Sequence, residues 1–193
     1  MKYSHWHYFL TLDADLDVTS RYVEICKDNF KTYSIEYVRI LLAAGSEIDV
    51  VAKLVCEKID SSKKAENINH YREIITAKYS HFHEMEVLLP RYAIRLTPWK
   101  AWKGTDNPEW WKSYNDVKHK RHLDFRKANL ENVLNCVAGL FVIVMYLYYD
   151  SLHELLKLQP PRLLSLPQGY KQGWEWATTY HLPDFTGAKR CTP

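Results

Sequence analysis

The chain has 193 residues, 47% of them hydrophobic, with six glycines and a formal net charge of +3. That length holds one domain with a sizeable core and leaves little room for a second of ordinary size. So few glycines argue against the tight turns of a many-stranded sandwich or barrel, and so small a net charge excludes a polyelectrolyte binder, leaving any nucleic-acid affinity to a local basic patch.

The N-terminal segment MKYSHWHYFL carries one lysine and then polar and aromatic residues, without the aliphatic core of a signal peptide. His5 and His7, like His81 and His83, form HxH pairs. Residues two apart diverge on a helix, so such a pair shares a metal only on an extended segment, and His5–His7 has no acidic or cysteine partner nearby in sequence. Cys26, Cys56, Cys136 and Cys191 lie far apart with no CxxC. We expect no metal and no cofactor, with reduced thiols of a cytoplasmic protein.

From residue 22 apolar positions recur every three or four residues, through Tyr22, Cys26, Phe30, Tyr33, Tyr37 and Leu41 to Ile59. A single helix over 19–59 would span about 60 Å, longer than the roughly 40 Å diameter of a compact domain this size. We expect a break at Gly45, where Ser46 and Asp49 match a capping box. A charged linker at 61–66 leads to a third helix carrying Ile68, Tyr71, Ile75, Tyr79 and Phe82. Residues 87–98 alternate as a short extended connector or hairpin arm between Pro90 and Pro98.

Asn107 and Pro108 predict a helix start, with Trp111, Asn115 and Lys118 on one side. Length again demands a turn within 119–124 before the helical pattern resumes at Phe125. The 14-residue apolar run 136–149 is shorter than the about 20 residues of a bilayer span and suits a buried core helix, so no membrane association is expected. Pro160 and Pro161 end regular helix. The expected architecture is all-α: an up-and-down bundle of four to six helices over 1–159. An irregular extension over 160–193 follows, whose aromatics Tyr170, Trp174, Trp176, Tyr180 and Phe185 dock on the bundle before a frayed end.

The densest chemistry lies at 110–127, WWKSYNDVKHKRHLDFRK. His119, with Asn115 one turn before it and Lys118, Lys120 and Arg121 beside it, suits RNA cleavage by 2′-hydroxyl attack. That reaction needs a proton-transfer group near neutrality and cations against the developing phosphate charge. The same residues equally suit a solvated turn with capped helix ends. Glu36 and Glu47 lie beside the apolar stripe, either facing inward to orient those cations or facing water. Trp99, Trp102, Trp110 and Trp111 either stack bases or fill the core, and at least two are expected in the core. Neither GxxxxGK[ST], GxGxxG nor GxSxG occurs.

On the stretches YSIEYVRILLAAGSEID, WWKSYNDVKHKR and ANLENVLNCVAGLF, the chain resembles helical bundles of the HEPN superfamily (higher eukaryote and prokaryote nucleotide-binding domains) over most of 19–149. The resemblance implies RNA or nucleotide binding and frequent homodimers with composite sites. In many members it implies a metal-independent ribonuclease of toxin, phage-defence or RNA-processing systems, with a protein partner such as an antitoxin. The family's pattern, an Arg often followed by a polar residue, then four to six residues and a His, maps onto Lys112, which stands in place of the Arg, and His119. An ammonium there neutralises phosphate but lacks the guanidinium fork. His119 then acts as general acid or base, Lys112, Lys118, Lys120 and Arg121 contact phosphate, and Asn115 orients the substrate. Glu47 and Tyr114 support the site. The alternative is a non-enzymatic helical protein-interaction module.

Overall fold

The computed structural model describes residues 2–167 and the short strands Lys171–Gln172 and Thr179–Tyr180. It is predominantly helical. The helices are α1 (Ser4–Thr19), α2 (Ile35–Ile59), α3 (Ile68–Lys78), α4 (Glu109–Asp124), α5 (Leu130–Leu147) and the short α6 (Leu152–Leu158). The connector between α3 and α4 is a two-stranded antiparallel hairpin, β1 (Val87–Leu89) and β2 (Ile94–Leu96), with Val87 opposite Leu96. A purely all-α description is corrected accordingly. The two tail strands, β3 (Lys171–Gln172) and β4 (Thr179–Tyr180), pair antiparallel. The docking expected of the tail aromatics, and the frayed end, lie outside the described residues.

The core forms where α5 lies against α2 and is closed by α1 and α4. Asn129 caps α5, its side-chain Oδ1 accepting from the Asn132 backbone N–H at 3.0 Å. By length and composition α5 is apolar enough to cross a membrane, but 83% of its apolar window is buried inside the protein, as a core helix requires. On α1 the residues Trp6, Phe9, Leu12, Asp13 and Leu16 form one buried stripe, and the rings of Phe9 and Phe141 stack at 4.9 Å. Burying a side chain of that size contributes about 1.5–3 kcal/mol.

The break expected at Gly45 lies elsewhere. Helix α2 runs through Gly45 without interruption, and the chain bends between Thr19 and Ile35. Thr19 and Ser20 turn their hydroxyls back onto the carbonyls of Leu16 and Asp17, and Ser34 accepts from the Tyr37 N–H to begin α2. Tyr22 is 83% exposed although it falls on the helical stripe, whereas Ile25, off the stripe, is 1% exposed. Gly45 serves packing: a Cβ there would sit 2.3 Å from the Tyr114 ring. Ser46 is exposed, and Asp49 instead accepts from the Tyr71 hydroxyl at 2.8 Å.

The chain beyond α6 returns to α1. Asp13 is fully buried, and its carboxylate accepts from the backbone N–H groups of Arg162, Leu163 and Leu164 at 2.6, 3.3 and 3.2 Å. Burial pushes this carboxyl above its ordinary range, against the pull of the three amides. Ser165 then exchanges backbone hydrogen bonds with Leu88 on the free side of β1. Cys26, Cys56 and Cys136 are free thiols, and burial pushes Cys56 up to about 12.

Candidate functional site at the end of α4

The first half of α4 is anchored by its aromatics. Trp110 donates its indole N–H to the Pro98 carbonyl at 2.7 Å and lies against Gly139, where a Cβ would meet its ring at 3.0 Å. Trp111 and Tyr114 are buried beside it. Asn107 does not cap the helix. Its amide donates to Asn69 Oδ1 at 3.3 Å, and the helix begins after Pro108. Beyond Val117 the helix leaves the core, and residues 118–123 are all exposed. The backbone departs from helical geometry at Lys120 (φ −137°, ψ 41°), inside the interval where a turn was expected.

At this kinked end Lys118, His119, Arg121 and His122 surround an open depression of about 620 Å³ floored by Leu42, Val117 and Phe125. Among the described residues no carboxylate lines it. The nearest acidic residues of the segment, Asp116 and Asp124, both hold Lys127, at 2.7 and 2.9 Å, and keep its ammonium charged well above the usual lysine range. Lys118 donates to the Tyr114 hydroxyl at 3.3 Å and lies 5.4 Å from that ring's centre, so Tyr114, itself locked over Gly45, positions one rim cation.

The structure therefore unites part of the expected set. His119, Lys118 and Arg121 line one depression with Tyr114 beneath, and Lys120 is exposed at the kink beside them. Asn115 does not line it, because its amide N–H is bonded back to the Trp111 carbonyl at 2.9 Å. Lys112 lies two turns earlier, about 10 Å along the axis, with its ammonium 3.9 Å from Glu109. Glu47 turns to α1 and meets His5 Nδ1 at 2.6 Å, and exposed Glu36 pairs with Arg39, so neither orients the α4 cations. All four tryptophans, Trp99, Trp102, Trp110 and Trp111, are buried at 8% exposure or less, which removes them as stacking platforms. The added residue is His122. Its signal in sequence was the three-residue spacing from His119, one helical turn.

His5 lies on α1 beside Glu47, and His81 and His83 both approach Glu84, at 3.3 and 3.8 Å. Among the described residues no group of three His, Cys, Asp or Glu side chains is placed to hold a metal. The chemistry available at the α4 end is anion binding by Lys118 and Arg121, with imidazole able to move a proton at an adjacent atom. No protein-family model, curated protein or solved structure matches the chain.

Proposed function

We propose that the protein binds single-stranded RNA at the exposed end of α4 and cleaves it without a metal, with His119 as the proton-transfer group. Lys118, Lys120 and Arg121 hold the phosphate, and His122 is a second imidazole within the same depression. The observation that carries this reading is a depression rimmed by two imidazoles and two cations, with no carboxylate among the described residues that line it. An anionic backbone is attracted there and a proton carrier stands beside it. Asn115 and Lys112 fall outside that depression and act at most on the strand beyond the reacting phosphate. A homodimer would close the open side. Leu123, 72% exposed next to the histidines, is the apolar group available for such a contact.

Incubation of the purified protein with RNA in chelator tests the reading. His119→Ala is expected to lower the cleavage rate about 10²–10⁴-fold, the usual contribution of a general acid or base. Unchanged cleavage in that variant ends the assignment. The second reading, a non-enzymatic interaction module, takes support from the exposure of Leu123 and of Ile35, at 72% and 78%. It predicts no RNA affinity at physiological salt and binding of a protein partner that Leu123→Ser weakens.

A further inference from the structure

A second concavity, of about 520 Å³, lies between the first half of α4 and the start of α5. That volume suits a nucleotide-sized ligand. Three carboxamides line it, from Asn129, Asn132 and Asn135, together with buried Ser113. Their hydrogen bonds fix which atoms are left over. Both N–H groups of Asn132 are taken, one by Ser113 Oγ at 3.0 Å and one by the Lys127 carbonyl at 2.9 Å. Asn135 donates to the Glu131 carbonyl at 2.9 Å. The carbonyl oxygens of Asn132 and Asn135 therefore remain as acceptors held in fixed orientations, suited to the amino groups on a base edge.

The charges around the groove divide in the same way. Lys31 is tied to Glu131 at 2.6 Å, and Lys127 to Asp116 and Asp124. Lys100 and Arg126 have no ion-pair partner among the described residues, and the Arg126 guanidinium lies 5.8 Å from the Tyr33 ring centre. Of the two lining carboxylates, Glu131 is neutralised by Lys31, and Glu109 is 75% exposed with Lys112 at 3.9 Å. The N-terminus of α5 contributes nothing, because the N–H groups of Leu130, Glu131 and Asn132 are taken by Thr32, Phe30 and Asn129. Phe125 floors the His119 depression while the next residue, Arg126, lines this groove, so the two concavities share one short 3-10 turn, Phe125–Lys127.

We propose that this groove is a nucleotide subsite for single-stranded RNA, in which Lys100 and Arg126 hold phosphate and the carbonyls of Asn132 and Asn135 accept from a base, continuing the strand past the α4 end. This rests on the RNA-binding reading above. A fluorescent single-stranded RNA of about twelve nucleotides, within the span such surfaces cover, is the probe. Its affinity is measured across salt for the wild type, Lys100→Ala/Arg126→Ala, Asn135→Asp and Arg121→Ala. The groove double variant is expected to bind on the order of tenfold more weakly, with a salt slope shallower by about 1.4, or about 0.7 for each lost phosphate contact. Asn135→Asp sets a carboxylate in the lining and also weakens binding. Photo-crosslinking of 4-thiouridine RNA is expected to mark residues 97–101 or 126–135. Wild-type affinity in both groove variants alongside weakened binding in Arg121→Ala, or crosslinks confined to 117–125, overturns the groove and leaves the α4 site standing. Absence of RNA binding by the wild type overturns both.

Discussion

The two halves of α4 belong to one element, kinked at Lys120, yet are held in opposite ways. In the first half, Trp110 and Tyr114 are pressed against glycines of two neighbouring helices, and the Trp110 indole is bonded to the Pro98 carbonyl. In the second half every side chain from 118 to 123 is exposed, the backbone departs from helix at Lys120, and the acidic neighbours are drawn off to Lys127. The difference shows how a candidate site can be kept both placed and open. Close packing sets the direction of the helix, and the exposed turn presents charge that forms no ion pair among the described residues.

The largest test of that contrast removes an anchor. Trp110→Ala is expected to lose about 3–5 kcal/mol in urea unfolding, because a large ring and its indole bond leave a cavity. Gly45→Ala is expected to lose about 1–3 kcal/mol by overpacking, because the added methyl would overlap the Tyr114 ring, which also packs against the Trp111 ring. A loss of neither size would mean that the anchored half relaxes freely. Arg121→Ala in the free half is expected to shift stability by no more than about 0.5 kcal/mol while weakening RNA binding. A large stability loss there would erase the distinction between the halves. Asp13 is a control outside α4. Its folded pKa is raised by burial, so its contribution to stability is fullest below about pH 4, its unfolded value, and declines as pH rises through the folded one. Asp13→Asn is expected to remove that slope from the pH dependence of unfolding measured by urea titration.

Much of the helical order could be read from spacing. The buried core helix, the helix after Pro108 and an interruption within 119–124 follow from periodicity and from length against domain size, although the interruption is a kink at Lys120, the next helix starts at Leu130 rather than Phe125, and the extended connector is two strands rather than a single arm. The misreadings have physical causes. Tyr22 and Tyr33 kept helical spacing in a segment that local hydroxyl and cap bonds fold otherwise, and Gly45 resembled a breaker although its lack of a side chain admits a ring from another helix. Helix α1 was missed because the His-rich start hides the stripe of Trp6, Phe9 and Leu16. At the site, His119 and its cations were legible. The backbone bond that turns Asn115 away and the pairing of Glu47 with His5 were not, because both depend on partners that spacing does not specify.

The clasp on Asp13 has a consequence for how the chain is made. Its carboxylate lies 149 residues before its first amide donor, Arg162. At a synthesis rate of roughly 5–20 residues per second, that interval is about 7 to 30 seconds. Once α5 has been made, α1 can bury its apolar stripe against it, as Phe9 does on Phe141, but Asp13 is still not satisfied. A ribosome that stops before Arg162 therefore releases a chain with this acid still waiting for its partners, and completion of the fold is tied to the arrival of residues 162–166.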